Sequence, residues 1–289
     1  MALSVPDVVR LRMTDPAAVR ERLRARQPYP GPGVAENLLV IAADHPARGA
    51  LAAGDDPMAM ANRGDLLERV VTALSRPGVT GFLGTADVIE DLALLGALDG
   101  KMVFGSMNRG GLAGACFELD DRFTAYDARG VAEAGLDGGK MLLRIDPDDP
   151  GSVATLEACA HAVDALSERG LVAMIEPFAS HRVGGWVRND LSPEAMARVV
   201  AIASGLGHTS AYTWLKLPVV EDMERVVAAS TLPALILGGE VREDADTALA
   251  VWAKALALPT VCGLVIGRSL LYPRDGDVAK AVDEAVTLL

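Results

Sequence analysis

Leu38-Leu39-Val40-Ile41-Ala42-Ala43-Asp44-His45-Pro46 is the stretch that decides the fold. Its first six residues are a short apolar run closed by turn formers, the pattern of a strand buried on both faces. An open doubly wound sheet would follow such a strand with a glycine-rich fingerprint, and here Asp-His-Pro follows instead. Downstream, the pattern predicts a helix near 62–75, a strand over 79–83, a helix near 85–97 and a strand over 102–105. A longer glycine-rich connection from Ser106 to Asp121 leads to a helix near 127–134, a strand over 140–145, a helix over 152–169 and a strand over 171–176. A helix then opens at Ser192-Pro193, serine as cap and proline in the first turn. Next come a strand over 212–218, a helix near 220–229, a strand over 234–237, a helix near 242–257, a strand over 262–266 and a closing helix from Asp277. Eight βα units over about 250 residues specify a single (β/α)8 (TIM) barrel of the α/β class. The expected organisation is an N-terminal helix and Pro/Gly linker over 1–37, then the barrel over 38–289.

A net charge of −12, few aromatics and the lack of a basic, aromatic-interleaved stripe exclude nucleic acid as a partner. Arginines interrupt the N-terminal segment, no signal peptide is expected, and no run is long enough for a membrane span. Cys116, Cys159 and Cys262 are odd in number and widely spaced, and read as small buried hydrophobes in a reducing cytoplasm. Residues 7–26 predict one helix whose arginine face is solvated or packs on a subunit, and a homo-oligomer is expected.

Barrel enzymes carry their sites at the carboxyl ends of the strands. Four polar residues stand there: Asp44, Glu176, Lys216 and Arg268. Lys216 is the most informative, because the chain has five lysines against 22 arginines and a buried strand ordinarily excludes an ammonium. A guanidinium stays protonated, whereas an amine that loses its proton on burial is a nucleophile toward carbonyls. Two carboxylates beside it supply acids and bases for an imine route. Lys140, in another strand, stands at the stability face or points inward toward Lys216, where its charge favours the neighbour's free amine. Gly238-Gly239 and Gly267-Arg268, after the seventh and eighth strands, form an expected phosphate site against the protein's negative charge. Arg48 and Arg109, after strands one and three, are further cations at that end. The four histidines lack ligand spacing, so neither a metal nor another cofactor is expected.

With these residues in order, the sequence resembles the class I, Schiff-base aldolases of the (β/α)8 type, over nearly the whole barrel. It is most similar to the tagatose-bisphosphate, sulfofructose-phosphate and archaeal-type fructose-bisphosphate aldolases. Asp44 with Arg48-Gly49-Ala50-Leu51, Lys140, Glu176-Pro177, Lys216, Gly238-Gly239 and Gly267-Arg268 carry the resemblance. The link from Asp44 to Arg48 is longer than the group's usual Asp-Gln-Arg. Deoxyribose-phosphate aldolases are also similar, but Leu217-Pro218 stands where they carry small hydroxyl residues. The resemblance implies a lyase that makes or breaks a C–C bond in a phosphorylated sugar. Lys216 would form the imine, with Lys140, Glu176 and Asp44 catalytic and Arg48 binding substrate. A deoxyribose-phosphate aldolase activity, a phosphosugar isomerase or epimerase using Glu176 as base, and a phosphosugar-binding barrel without turnover are the alternatives.

Overall fold

The structure, a computed structural model, describes residues 4–31, 37–239 and 245–289. Eight parallel strands close on themselves. They are β1 (Leu38–Ala42), β2 (Gly81–Gly84), β3 (Met102–Ser106), β4 (Gly138–Ile145), β5 (Val172–Val183), β7 (Thr213–Leu217), β8 (Ala234–Leu237) and β9 (Val261–Ile266). Each pairs with the next in that order, β4 pairs with β5, and β9 returns to β1, so the barrel has no open edge. The ninth strand, β6 (Trp186–Asp190), folds back antiparallel on the far end of β5 to make a hairpin arm beyond the barrel wall. Strand five extends beyond its expected end at residue 176, and the arm leaves no signal in the sequence, because its residues are mostly exposed and carry no hydrophobic alternation.

Helices α3 (Arg63–Leu74), α4 (Ala86–Leu94), α5 (Ala128–Glu133), α6 (Gly151–Ser167), α7 (Pro193–Ser204), α8 (Met223–Val227), α9 (Ala245–Leu256) and α11 (Val278–Val286) surround the strands. Ser192 caps α7 by accepting from Ala195 N, as its sequence predicts. The expected start of the helix at 242–244 lies outside the described residues, as do Pro32 and Gly33 of the expected linker. A short helix, α10 (Arg268–Leu271), follows β9.

Strand parity divides the apolar residues into two layers, since successive side chains point to opposite faces. On β1, Leu38, Val40 and Ala42 join Leu83, Phe104, Met174, Leu235 and Val265 inside the barrel, while Leu39 and Ile41 face the helices. Near the amino end of β9, Gly263 at φ +143° lies where a Cβ would meet the backbone of Leu38. There β9 carries one more residue than β8 between their paired positions. Only glycine fits this bulge.

The N-terminal segment is two helices, α1 (Val5–Thr14) and α2 (Pro16–Arg24), where one was expected. Asp15 leaves helical geometry, accepts from Ala18 N and starts a new helix with Pro16 in its first turn. The arginine face is mostly spent on this chain: Arg12 pairs with Glu90 and Asp91 on α4, at 2.9 and 2.8 Å. Arg26, just past α2, is buried and donates to Lys101 O, Gly135 O and Asp137.

Candidate active site

The same parity that builds the apolar interior builds the site. Ala42, Phe104, Met174 and Trp214 form or pack against the inner layer, and two residues further along each strand stand Asp44, Ser106, Glu176 and Lys216. Their side chains therefore point into the barrel above an apolar floor, at its carboxyl-terminal mouth. All four are buried.

Glu176 is the hub. Its Oε1 accepts from Lys216 Nζ at 2.9 Å, and its Oε2 is ion-paired with Lys140 Nζ. Lys140 also donates to Asp44 Oδ2 at 3.2 Å, and the same oxygen accepts from Ser106 Oγ at 3.0 Å and lies 3.1 Å from Arg109. Lys140 is third in β4 and points inward, away from the stability face that its sequence position left open. The two lysines meet through one carboxylate.

Burial pushes the Lys140 ammonium down, and although Asp44 and Glu176 pull it back, it ends at about 8. Burial alone would raise the Glu176 carboxyl, but Lys140 and Lys216 hold it well below its usual range. Asp44 is likewise held low, burial being overcome by Lys140 and Arg109. His45 is pushed down to about 3 by burial against the pull of Asp44, and is neutral at ordinary pH. Its Nδ1 lies 3.9 Å from Asp44 Oδ1. Among these groups, Lys140 is the one poised near neutrality.

The predicted anion loops adjoin this cluster. A Cβ on Gly267 would stand 2.5 Å from Ala42 O and 3.2 Å from His45 Cε1, so the end of β9 touches the end of β1 only because residue 267 is glycine. Gly238 is equally tight, against Ile266, and its carbonyl accepts from Ser269 Oγ at 3.3 Å. Gly239 takes φ +71°. Arg268 donates to Ala52 O at 3.3 Å, and its Nε is buried without a hydrogen-bond partner among the described residues.

Arg48, Arg109 and Arg268 line one cavity with Lys140, Glu176 and Lys216. Ser106 and Arg144 went unread in the sequence. Ser106 shares its parity with Phe104, which a strand drawn one residue longer would have shown. Arg144 lies in β4 four residues past Lys140, on the same face. Among the described residues, no three or more His, Cys, Asp or Glu side chains are grouped to hold a metal ion, and no helix is long and apolar enough to cross a membrane.

A family model described as Cgl0159-like matches residues 36–286. The sequence matches no curated protein. The crystal structure of Cgl0159 from Corynebacterium glutamicum (Brevibacterium flavum) is similar at 53% identity and a TM-score of 0.95, over 100% of this chain and 98% of that one. An archaeal fructose 1,6-bisphosphate aldolase is 17% identical with a TM-score of 0.64, over 93% of this chain and 98% of that one. Another archaeal fructose-1,6-bisphosphate aldolase, with its catalytic Lys covalently bound to the carbinolamine intermediate of the substrate, is 16% identical with a TM-score of 0.62 over the same shares. At these identities the likeness to the aldolases is one of fold.

Proposed function

The chain belongs to the Cgl0159-like family, and from that premise we propose that it is a class I aldolase, cleaving or forming a phosphorylated ketose through an imine on Lys216. One observation carries the reading: a buried amine inside the mouth of an aldolase-type barrel, hydrogen-bonded to a carboxylate that a second buried lysine shares. An isomerase working through Glu176 as base has no use for Lys216 as a nucleophile, and a carboxylate held so far below its usual range is a weak base.

In the cleavage direction the free amine of Lys216 attacks the ketone carbon, and the carbinolamine loses water to give the imine. The protonated imine accepts the electron pair of the breaking C–C bond as an enamine, while the hydroxyl on the far carbon of that bond gives up its proton and that carbon departs as an aldehyde. Protonation of the enamine carbon and hydrolysis return the amine. Lys140, brought to about 8, is the proton carrier matched to these steps. Glu176 and Asp44 remain ionised and hold the two lysine side chains and the substrate hydroxyls in place. Gly238, Gly239, Gly267 and Arg268 receive the phosphate, and Arg48 meets the other end of the substrate.

Borohydride reduction in the presence of dihydroxyacetone phosphate is expected to leave a covalent adduct on Lys216 in the wild type and none in Lys216→Met. An adduct on a different lysine, or none with any of a broad panel of phosphorylated carbonyls, would remove the imine from this site.

A further inference from the structure

Besides Arg268 Nε at the glycine loops, four guanidinium nitrogens around the mouth are buried without a hydrogen-bond partner among the described residues: Nε and Nη1 of Arg48, Nη2 of Arg109 and Nε of Arg144. The remaining nitrogens of the two buried arginines are committed. Arg109 donates from Nε to Asn108 O at 2.6 Å, and its Nη1 lies 3.1 Å from Asp44 Oδ2 and 3.3 Å from Asp44 O. Arg144 pairs with Glu118 through Nη1, donates from Nη2 to Glu118 O at 2.6 Å, and lies 3.6 Å from Asp121. Arg109 and Arg144 are each 5% exposed. No carboxylate among the described residues is in ion-pair distance of Arg48, whose guanidinium burial, then Arg144 and Arg109, push down to about 10.

These residues lie after β1, after β3 and in β4, and line the cavity that holds Lys140 and Lys216. The phosphate loops follow β8 and β9. Asp44 answers the charge of Arg109 and Glu118 that of Arg144, which leaves Arg48 as the one of the three without a carboxylate among the described residues, and burying its charge beside two others with donors unpaired is costly unless an anion meets them. A carboxylate is an acceptor only, with about four lone-pair sites, and matches four unpaired donors and a single charge. Arginine is also the side chain whose planar fork suits it.

We infer that Arg48, Arg109 and Arg144 form a second anion site for a carboxylate on the aldehyde half of the substrate, so that the reaction joins or separates a phosphorylated ketone and an oxo acid. This rests on the Lys216 imine reading. In synthesis the enamine carbon on Lys216 attacks the aldehyde carbon and one C–C bond forms. The aldehyde oxygen takes a proton and becomes a hydroxyl, and water hydrolyses the imine to free product and amine. The carboxylate is unchanged throughout.

Dihydroxyacetone phosphate serves as donor against three acceptors: succinic semialdehyde, its neutral methyl ester, and glyceraldehyde 3-phosphate. The semialdehyde is expected to exceed the ester in kcat/KM by about 10- to 150-fold, the span of a charge-assisted contact. Arg48→Gln should shrink that ratio toward one, and Arg48→Lys should restore part of it. Equal use of acid and ester, or a ratio that Arg48→Gln leaves intact, overturns the proposal. So does a preference for glyceraldehyde 3-phosphate that depends on Arg48, which would make the second anion a phosphate. Borohydride labelling with the donor alone separates the two readings: a labelled Lys216 with no acceptor preference sinks only the second site. If Lys216 stays unlabelled, calorimetric titration with succinate decides, since it needs no imine. Binding weakened at least about tenfold by Arg48→Gln upholds the site, and equal or absent binding overturns it.

Discussion

Glu176→Gln keeps the shape of the hub and removes its charge. In the wild type Glu176 answers Lys216 at 2.9 Å and shares Lys140 with Asp44, all buried. At an effective dielectric of 20 a unit pair at that distance interacts by about 6 kcal/mol. The amide still accepts one hydrogen bond, and Asp44 still answers Lys140. The net loss expected at pH 7 is therefore that of a buried pair stripped of one partner, about 3–5 kcal/mol. The alternative of releasing a proton costs much the same, since holding an ordinary lysine neutral at pH 7 takes about 5 kcal/mol. The sign of the pH dependence follows. Lys140, at about 8 in the wild type with Glu176 pulling it up, falls further without that charge, so the folded variant binds fewer protons than the unfolded state over a wider range and its stability rises with pH toward the unfolded lysine value. Urea unfolding of wild type and variant at pH 7 and pH 9.5 reads both quantities, and the deficit should shrink at the higher pH. Pairing with Lys216→Met should give a double variant less destabilised than the sum of the two. A variant within about 0.5 kcal/mol of wild type at pH 7, or a deficit independent of pH, would refute the buried-pair geometry.

Arg268→Ala should lower kcat/KM for a phosphorylated substrate by about 10- to 150-fold, mostly in KM, with Arg268→Lys recovering part; normal turnover would place the phosphate elsewhere. His45, pushed down to about 3 from an ordinary 6.5, binds fewer protons folded than unfolded between those values, so stability climbs with pH across that window. His45→Gln should flatten the climb between pH 4.5 and 6.5 in urea titrations, whereas below 4.5 the depressed carboxyls of Asp44 and Glu176 keep it steep. Gly267→Ala, whose Cβ would press on Ala42 O at 2.5 Å, should cost about 1–3 kcal/mol in urea unfolding, and a neutral result would mean that the β1 and β9 ends part easily.

Lys216, Glu176 and Asp44 are legible in the sequence because each stands two residues beyond an inward-facing residue of an apolar strand, and strand period sends them to the same mouth. The hairpin arm is not legible, since β6 is mostly exposed and pairs only with the projecting end of β5. The N-terminal arginines show their number in sequence but not their partners, which sit on α4 and beyond α5, far along the chain.

By itself, the sequence determined the alternation of eight buried strands with helices, and hence the barrel and the end of it where polar residues gather. That information is local: it resides in hydrophobic period, caps and turn residues. Only the tertiary structure decided that one carboxylate lies between two lysines, that Lys140 faces inward, and that Arg109 and Arg144 reach the same cavity. Those facts depend on the register with which β4 meets β5 and on the closure of β9 onto β1. Ion-pair energy changes steeply over a few ångströms, and strand register shifts a side chain by about 3.3 Å per residue. Partner choice across the barrel is therefore set by closure.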